Sequence, residues 1–389
     1  MKKVVLGVLL VVSAGAYAER WDGPNNPSNM NRIIRSKMIY EFDDLPIAAN
    51  LADNRYAWSE TYWPSNKGGI AYRWSHPDPQ PFKYKMYSRE ELKSMSQDEI
   101  GRLSPAELYD IAQGDYNYTL TKKVLAKFSP RDLWWEGICH GWSQAAANYP
   151  EPSPVVITNR DGIKVPFGSS DVKGLLAAHE AWNYGGTYGF VGKRCRVRGK
   201  VPGEEDPRDG QVPVPSPADY NSPDCKDVNA GAFHVVVANM IGIHSRSFVA
   251  DIDRLNDVWN QPVYGYSSSV QGEESVSPEQ RMQGIERRIR IATKFTYGEE
   301  LQFWTPDLAA QGKHNFVSKS PVTGTIHQEF RSKSYEYVIE LDGSGRIVGG
   351  TWITETRPDF MWIYDRAQKF NNRVMPLSGL NAIYRPVRR

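Results

Sequence analysis

The chain is poor in cysteine, carries almost no net charge and, past its first residues, has no long apolar run. Three cysteines in 389 residues are too few for a scaffold held together by disulfides. No C-x-x-C or H-E-x-x-H spacing occurs, so the metal-ligand patterns of zinc sites are missing. Lys and Arg total 47 against 45 Asp and Glu; without a basic excess there is no electrostatic footprint for nucleic acid or an anionic membrane. No later segment approaches the ~20 apolar residues that span a bilayer, so no membrane partner is expected. There is no internal repeat and no low-complexity tail.

The first informative presence is the N-terminus. Lys2 and Lys3 precede an apolar run from Val4 to Ala14, and Ala16-Tyr17-Ala18 supplies the small-x-small pattern of a signal-peptidase site. Residues 1–18 read as a cleaved signal peptide, so the mature protein is expected to be secreted or periplasmic. Removing Lys2 and Lys3 brings the basic residues level with the acidic ones.

Export gives the three cysteines meaning, because thiols that can meet outside the cytoplasm usually oxidise. Cys195 and Cys225 lie 30 residues apart in a Gly/Pro/Asp-rich stretch and are expected to pair. Such a bridge would stabilise by roughly 3–4 kcal/mol on the chain-entropy model. Cys139 is left over, within W-W-E-G-I-C-H-G-W-S-Q-A-A-A at 134–147. Ile138, Trp142, Ala145 or Ala146, and Tyr149 recur at helical spacing and Pro150 stops the pattern. Cys139 therefore opens a helix of about ten residues. A thiol in a first turn faces unpaired N–H groups and the positive dipole end, which favours thiolate and fast alkylation at mildly acidic pH; a buried inert thiol among tryptophans is the alternative.

A thiolate nucleophile needs a base and a group to orient it. His140 adjoins Cys139 but points about 100° away on the helix. His76, His314 and His327 lie in turn-rich sequence and His179 on the polar side of a helix. His234, in G-A-F-H-V-V-V-A-N-M-I-G, reads as entering a buried strand, with R-S-F-V-A-D-I-D as the second strand of a hairpin. That pairing brings His234 near Asp251, or alternatively Asp253, two residues on one face. Helix-Cys, strand-His, strand-Asp is the chain order of papain-like thiol enzymes.

Residues 19–125 read as an irregular and then helical N-terminal region, either an inhibitory pro-region or a layer packed on the core. Within it Ser104 and Pro105 open one helix as N-cap and N1. Residues 126–389 read as the catalytic domain: an extended pair around Asn159–Gly162, then strands from about 286 with Asp342-Gly343 in a turn. The fold class is α+β, a papain-like thiol-enzyme core with the nucleophile's helix packed on an antiparallel sheet.

Val258-Trp259-Asn260-Gln261-Pro262-Val263, followed by Tyr264 and Tyr266, resembles the V-W-N-Q-P-V-R-G-F core of the oomycete transglutaminase elicitors. C-H-G-W-S-Q-A-A, D-V-K-G-L-L-A-A, N-A-G-A-F-H-V-V-V-A-N-M-I-G and I-V-G-G-T-W-I-T-E-T-R-P-D-F-M-W are similar to other segments of that family. The resemblance spans roughly residues 130–365 and implies a transglutaminase, joining a glutamine side chain to a lysine or small primary amine. It implies Cys139 as nucleophile, His234 as acid–base, and Trp134 or Trp135 as an indole donor or channel wall. It also implies a surface recognition segment at 258–263, where Tyr264 and Tyr266 depart from the elicitor pattern.

The same residues suit a papain-like protease or a glutamine deamidase, since water can resolve a thioester as an amine does. A non-catalytic effector recognised through the W-N-Q-P segment is the reading from another class. The chemistry needs no cofactor; the acidic stretch G-E-E-D-P-R-D-G and the Asp251, Asp253, Asp257 series leave calcium open. Oligomeric state, substrates and proteolytic activation have no signature in the sequence.

Overall fold

The computed structural model describes residues 21–387 except 53–54, 56, 74–81, 195–226, 255–257, 302–329 and 368. The signal peptide and the expected Cys195–Cys225 bridge lie outside the described residues. No helix among the described residues is long and apolar enough to cross a membrane.

After a short turn of helix α1 (Asn31–Ile34) and strand β1 (Ala48–Asn50), three helices follow in quick succession: α2 (Arg89–Ser94), α3 (Gln97–Gly101) and α4 (Pro105–Gln113). Each starts with the same device. Ser88, Ser96 and Ser104 accept from the backbone N–H three residues on, and Glu91, Glu99 and Glu107 reach back to the serine N–H. These reciprocal capping boxes satisfy donors that helix ends leave open, and they fix where a Ser-rich stretch breaks into separate helices. Glu107 is fully buried because it also pairs with Arg73, whose Nε lies 2.9 Å away.

Helix α5 (Thr119–Leu125) leads to α6 (Cys139–Asn148) and α7 (Ser169–Trp182), with the hairpin β2 (Val155–Thr158) and β3 (Lys164–Phe167) between the last two. Gly141 sets the α6–α7 spacing. A Cβ there would stand 2.1 Å from the carbonyl oxygen of Ala177, so only glycine lets the helices approach this closely. The interface forms one of two cores, in which Trp142, Ala145, Leu175 and Leu176 pack with Trp58 and Trp63 from the N-terminal region. Trp58 and Trp63 are wholly buried, so residues of the N-terminal region complete this core.

The second core lies between an antiparallel sheet and helix α8 (Ala230–Val237). The remaining strands are β4 (Tyr188–Gly192), β5 (Val249–Asp251), β6 (Asn260–Glu274), β7 (Arg287–Gly298), β8 (Phe330–Leu341), β9 (Ile347–Trp352) and β10 (Phe360–Tyr364). Among the described residues their order is β4-β10-β5-β6-β7-β8-β9, with β1 added along β6. This is the expected α+β class with an antiparallel sheet. Inward residues such as Ile289, Ile291, Phe295, Tyr335 and Ile339 alternate along β7 and β8 and meet Phe233 of α8.

The expected strand around His234 is instead helix α8. Every residue from 230 to 237 is buried, so the run Val235-Val236-Val237 carries no periodicity to separate strand from helix. Two other features decide. Asn229 caps the helix by accepting from the N–H groups of Gly231 and Ala232. Gly231 then lies against Gly349, whose carbonyl oxygen would sit 2.3 Å from an added Cβ, so the helix seats directly on β9. Accordingly β5 pairs with β6 and β10 rather than with the His234 segment.

Candidate active site around Cys139

Cys139 occupies the first turn of α6, as the spacing predicts. Its predecessor Ile138 donates its N–H to the carbonyl of Tyr62 at 2.8 Å, pinning the helix start to the N-terminal segment. The Cys139 N–H, as the first of the helix, has no intrahelical acceptor. The thiol is buried and faces the start of β6: Sγ lies 3.6 Å from Asn260 Nδ2 and 3.7 Å from the carbonyl oxygen of Val258.

Asn260 is the centre of a row of polar groups. Directly opposite it on β5 is Asp251, and paired residues on neighbouring antiparallel strands share a face. On the other side β6 pairs with β7 through Val263 and Tyr297, and Glu300 follows three residues after Tyr297. Gln261 donates from Nε2 to Glu300 Oε2, and Glu300 is tied by a backbone bridge to Glu60, two residues from Tyr62. Trp362 of β10 donates its indole N–H to Asn260 Oδ1 at 2.8 Å, which orients the amide so that its NH2 end points at sulfur.

The electrostatics run against the expectation of an acidic thiol. Burial pushes the Cys139 thiol up to about 11, the Asn260 N–H groups oppose this, and the nearby Glu300 and Asp251 carboxyls raise it further. A helix N-terminus contributes only about 0.3–1 kcal/mol, too little to offset desolvation beside two acids. Burial also raises Glu300 to about 7. It raises Asp251 well above the usual carboxylate range, helped by the charges of Asp359 and Asp253. Asp251 Oδ2 is buried with no hydrogen-bond partner among the described residues, and its other oxygen accepts from the Trp259 N–H at 3.3 Å. Alkylation of Cys139 by iodoacetamide is therefore expected to be slow near neutrality and to climb about tenfold per pH unit toward pH 11. A plateau below pH 8 would show a thiolate that this packing does not account for.

His234 is not at this site. Its Nδ1 is 2.8 Å from the Tyr337 hydroxyl, which contacts Thr293 Oγ1 at 2.8 Å, which in turn contacts Ser268 Oγ at 2.8 Å. Ser268 lies eight residues along β6 from Asn260, roughly 26 Å of strand. Burial holds the imidazole down to about 4, and it serves the sheet–helix core as a neutral hydrogen-bonding group. Asp253 forms an ion pair with Lys333 at 2.8 Å. His140, next to Cys139 in the chain, is half-buried, with its pKa lowered by burial. His179 is fully buried against Glu180 rather than on a polar face. His76, His314, His327, Asp257 and the acidic stretch at 203–210 lie outside the described residues. Among the described residues no cluster of three or more His, Cys, Asp or Glu is arranged to hold a metal.

The segment expected at the surface is instead largely the floor of the site. Asn260, Gln261, Pro262 and Val263 are buried, and Val258 and Trp259 are half-buried. Trp259 packs against Trp134 at 5.9 Å and edge-on against Tyr62 at 5.5 Å between ring centroids, and the Tyr62 hydroxyl donates to the Trp134 carbonyl at 2.7 Å. Trp134 is 41% exposed, so this aromatic group forms a rim open to solvent; Trp135 beside it is half-buried. Sequence reasoning missed Glu300 and Tyr62, and read Asn260 only as part of a recognition peptide. Asp251 was singled out in the sequence, but as the partner of His234 and not of Asn260.

A cysteine at a helix start, set on an antiparallel sheet with acids and an amide around it, defines a thiol-centred α+β protein. The transglutaminase elicitor family model matches residues 132–383, and the chain belongs to that family of transglutaminases. The fold is similar to the crystal structure of the GP42 transglutaminase from Phytophthora sojae, with a TM-score of 0.61 over 93% of this chain and 97% of that one at 20% identity. A comparison with curated protein sequences finds no match.

Proposed function

We propose that the protein is an exported protein-glutamine γ-glutamyltransferase with Cys139 as nucleophile. The observation that carries this reading is the thiol at the start of α6, held against Asn260 within the region that matches the family. In the first half-reaction Sγ attacks the γ-carboxamide carbon of a substrate glutamine. The C–N bond breaks, ammonia leaves, and a thioester remains. In the second half-reaction a lysine ε-amine or small primary amine attacks the thioester. An isopeptide bond forms and the thiol is restored.

Proton transfer is assigned to Glu300 rather than His234. Its carboxyl, near 7, is matched to neutral pH, as general bases require. The thiol stands about four pKa units higher, a gap of roughly 5 kcal/mol, so proton transfer accompanies attack instead of preceding it. Glu300 accepts the thiol proton, passes it to the departing nitrogen, and later takes one from the incoming amine. Asp251 holds the Trp259 backbone, and through it the aromatic rim. The Cys139 N–H, with the Asn260 amide, faces the place where the tetrahedral oxyanion develops. The rim of Trp134, Trp259 and Tyr62 displaces water from the approach to sulfur, which supports amine over water as second acceptor.

Mixing the protein with a glutamine-containing peptide, quenching in acid and measuring intact mass tests this directly. The expected product is a covalent adduct on Cys139 equal to the peptide less ammonia. A cut peptide points to a protease. Release of free glutamate peptide, even with amine present, points to a deamidase.

A further inference from the structure

At the far end of α6 from the thiol, a cavity of about 420 Å³ is lined by Arg35, Arg55, Arg246 and Arg366. These four guanidinium groups come from four separate stretches of chain. Among the described residues lining the cavity the single carboxylate is Asp365, and it is shared, 3.5 Å from Arg35 and 2.8 Å from Arg246. Arg55 donates to the Ser245 carbonyl at 3.2 Å, and Arg366 lies over the Tyr149 ring at 4.7 Å. Neither has a carboxylate partner among the described residues.

Arg35, Arg55 and Arg366 are exposed and Arg246 is half-buried, so water and salt screen part of their repulsion, but together they make the concavity strongly cationic. The C-terminal end of α6, at Asn148 and Tyr149, also borders the cavity, but a helix C-terminus supplies only about half a negative charge. Among the described residues lining the cavity, that leaves a formal excess of more than two positive charges. Arginine, with its planar fork of donors, is the side chain suited to holding phosphate, sulfate or carboxylate oxygens in pairs.

We propose that this cavity binds a small ligand bearing two or more oxyanion groups, at a site about 15 Å along α6 from Cys139. Arg55 and Arg366 provide the unpaired donors, while Arg246, which also donates to the Ile33 carbonyl, is fixed in place by the fold. The site is separate from the thiol and does not depend on it.

The test is calorimetric titration of the full mature protein at low salt with inorganic pyrophosphate and, in a parallel arm, citrate. Binding to either is expected, weakening as salt screens the charges. It should weaken at least about tenfold in Arg55→Gln/Arg366→Gln, a double variant whose thermal midpoint stays unchanged. Cys139→Ala should bind like the wild type, so failure of the transferase reading leaves this result standing. Tighter pyrophosphate marks a phosphate or sulfate ligand, and tighter citrate a carboxylate one. No heat with either anion at millimolar concentration, or equal binding by the double variant, overturns the proposal.

Discussion

Cys139→Ala is expected to abolish amine incorporation, a loss of at least about 10⁴-fold, because no other group in the site can form the acyl intermediate. The variant should fold. Removing the sulfur deprives the Asn260 amide of one weak acceptor, at a cost of about 1 kcal/mol. For a chain of this size that moves the thermal midpoint by only a few degrees. Activity and stability would then part, which locates the defect in chemistry and not in packing. A variant keeping even a tenth of the wild-type rate would remove Cys139 from the reaction.

Glu300→Gln carries the second large effect. Glutamine retains the shape and an acceptor for Gln261 Nε2 but cannot take a proton. A fall of about 10²–10⁴-fold in kcat is expected, the range for a lost general base. The pH profile gives the sharper reading. Burial raises Glu300 to about 7, and it works as the carboxylate, so wild-type activity should rise as pH increases through 7. In the glutamine variant that limb should disappear. His234→Gln is the contrast. It disturbs the hydrogen bond to Tyr337 and lowers stability, yet the folded variant should keep its kcat within about tenfold and retain the limb near pH 7. The reverse pattern would return the base to His234 and require a rearrangement of α8.

The two residues also show how far the sequence could be read. Cys139 was legible because large apolar residues, Ile138, Trp142 and Tyr149, recur there at helical spacing before a proline stop. The β2–β3 and β8–β9 hairpins were legible from Asn159–Gly162 and Asp342-Gly343, where turn chemistry is local. His234 was misread because a helix buried on every side looks like a buried strand, and the contact that makes it a helix, Gly231 on Gly349, spans more than a hundred residues. The surroundings that raise the thiol's pKa escape the sequence for a related reason. The dipole of its own helix is local and visible in sequence, whereas burial and the charge of Glu300 arrive from β6, β7 and the segment around Glu60. The W-N-Q-P segment was read as surface from its resemblance to the elicitor peptide. In the fold the Asn260 amide and the Gln261 amide nitrogen turn inward instead, to Cys139, Trp362 and Glu300. A recognition role for Val258–Val263 would have to work through the half-buried Val258 and Trp259 or a denatured peptide.

The central claim is acyl transfer to amines at Cys139. It is tested most directly by incubating the mature protein with casein and a fluorescent primary amine, with and without calcium, beside Cys139→Ala. The account predicts covalent labelling of casein by the wild type and none by the variant. Labelling that persists in Cys139→Ala, or wild-type protein that releases ammonia from casein without ever attaching the amine, would contradict it.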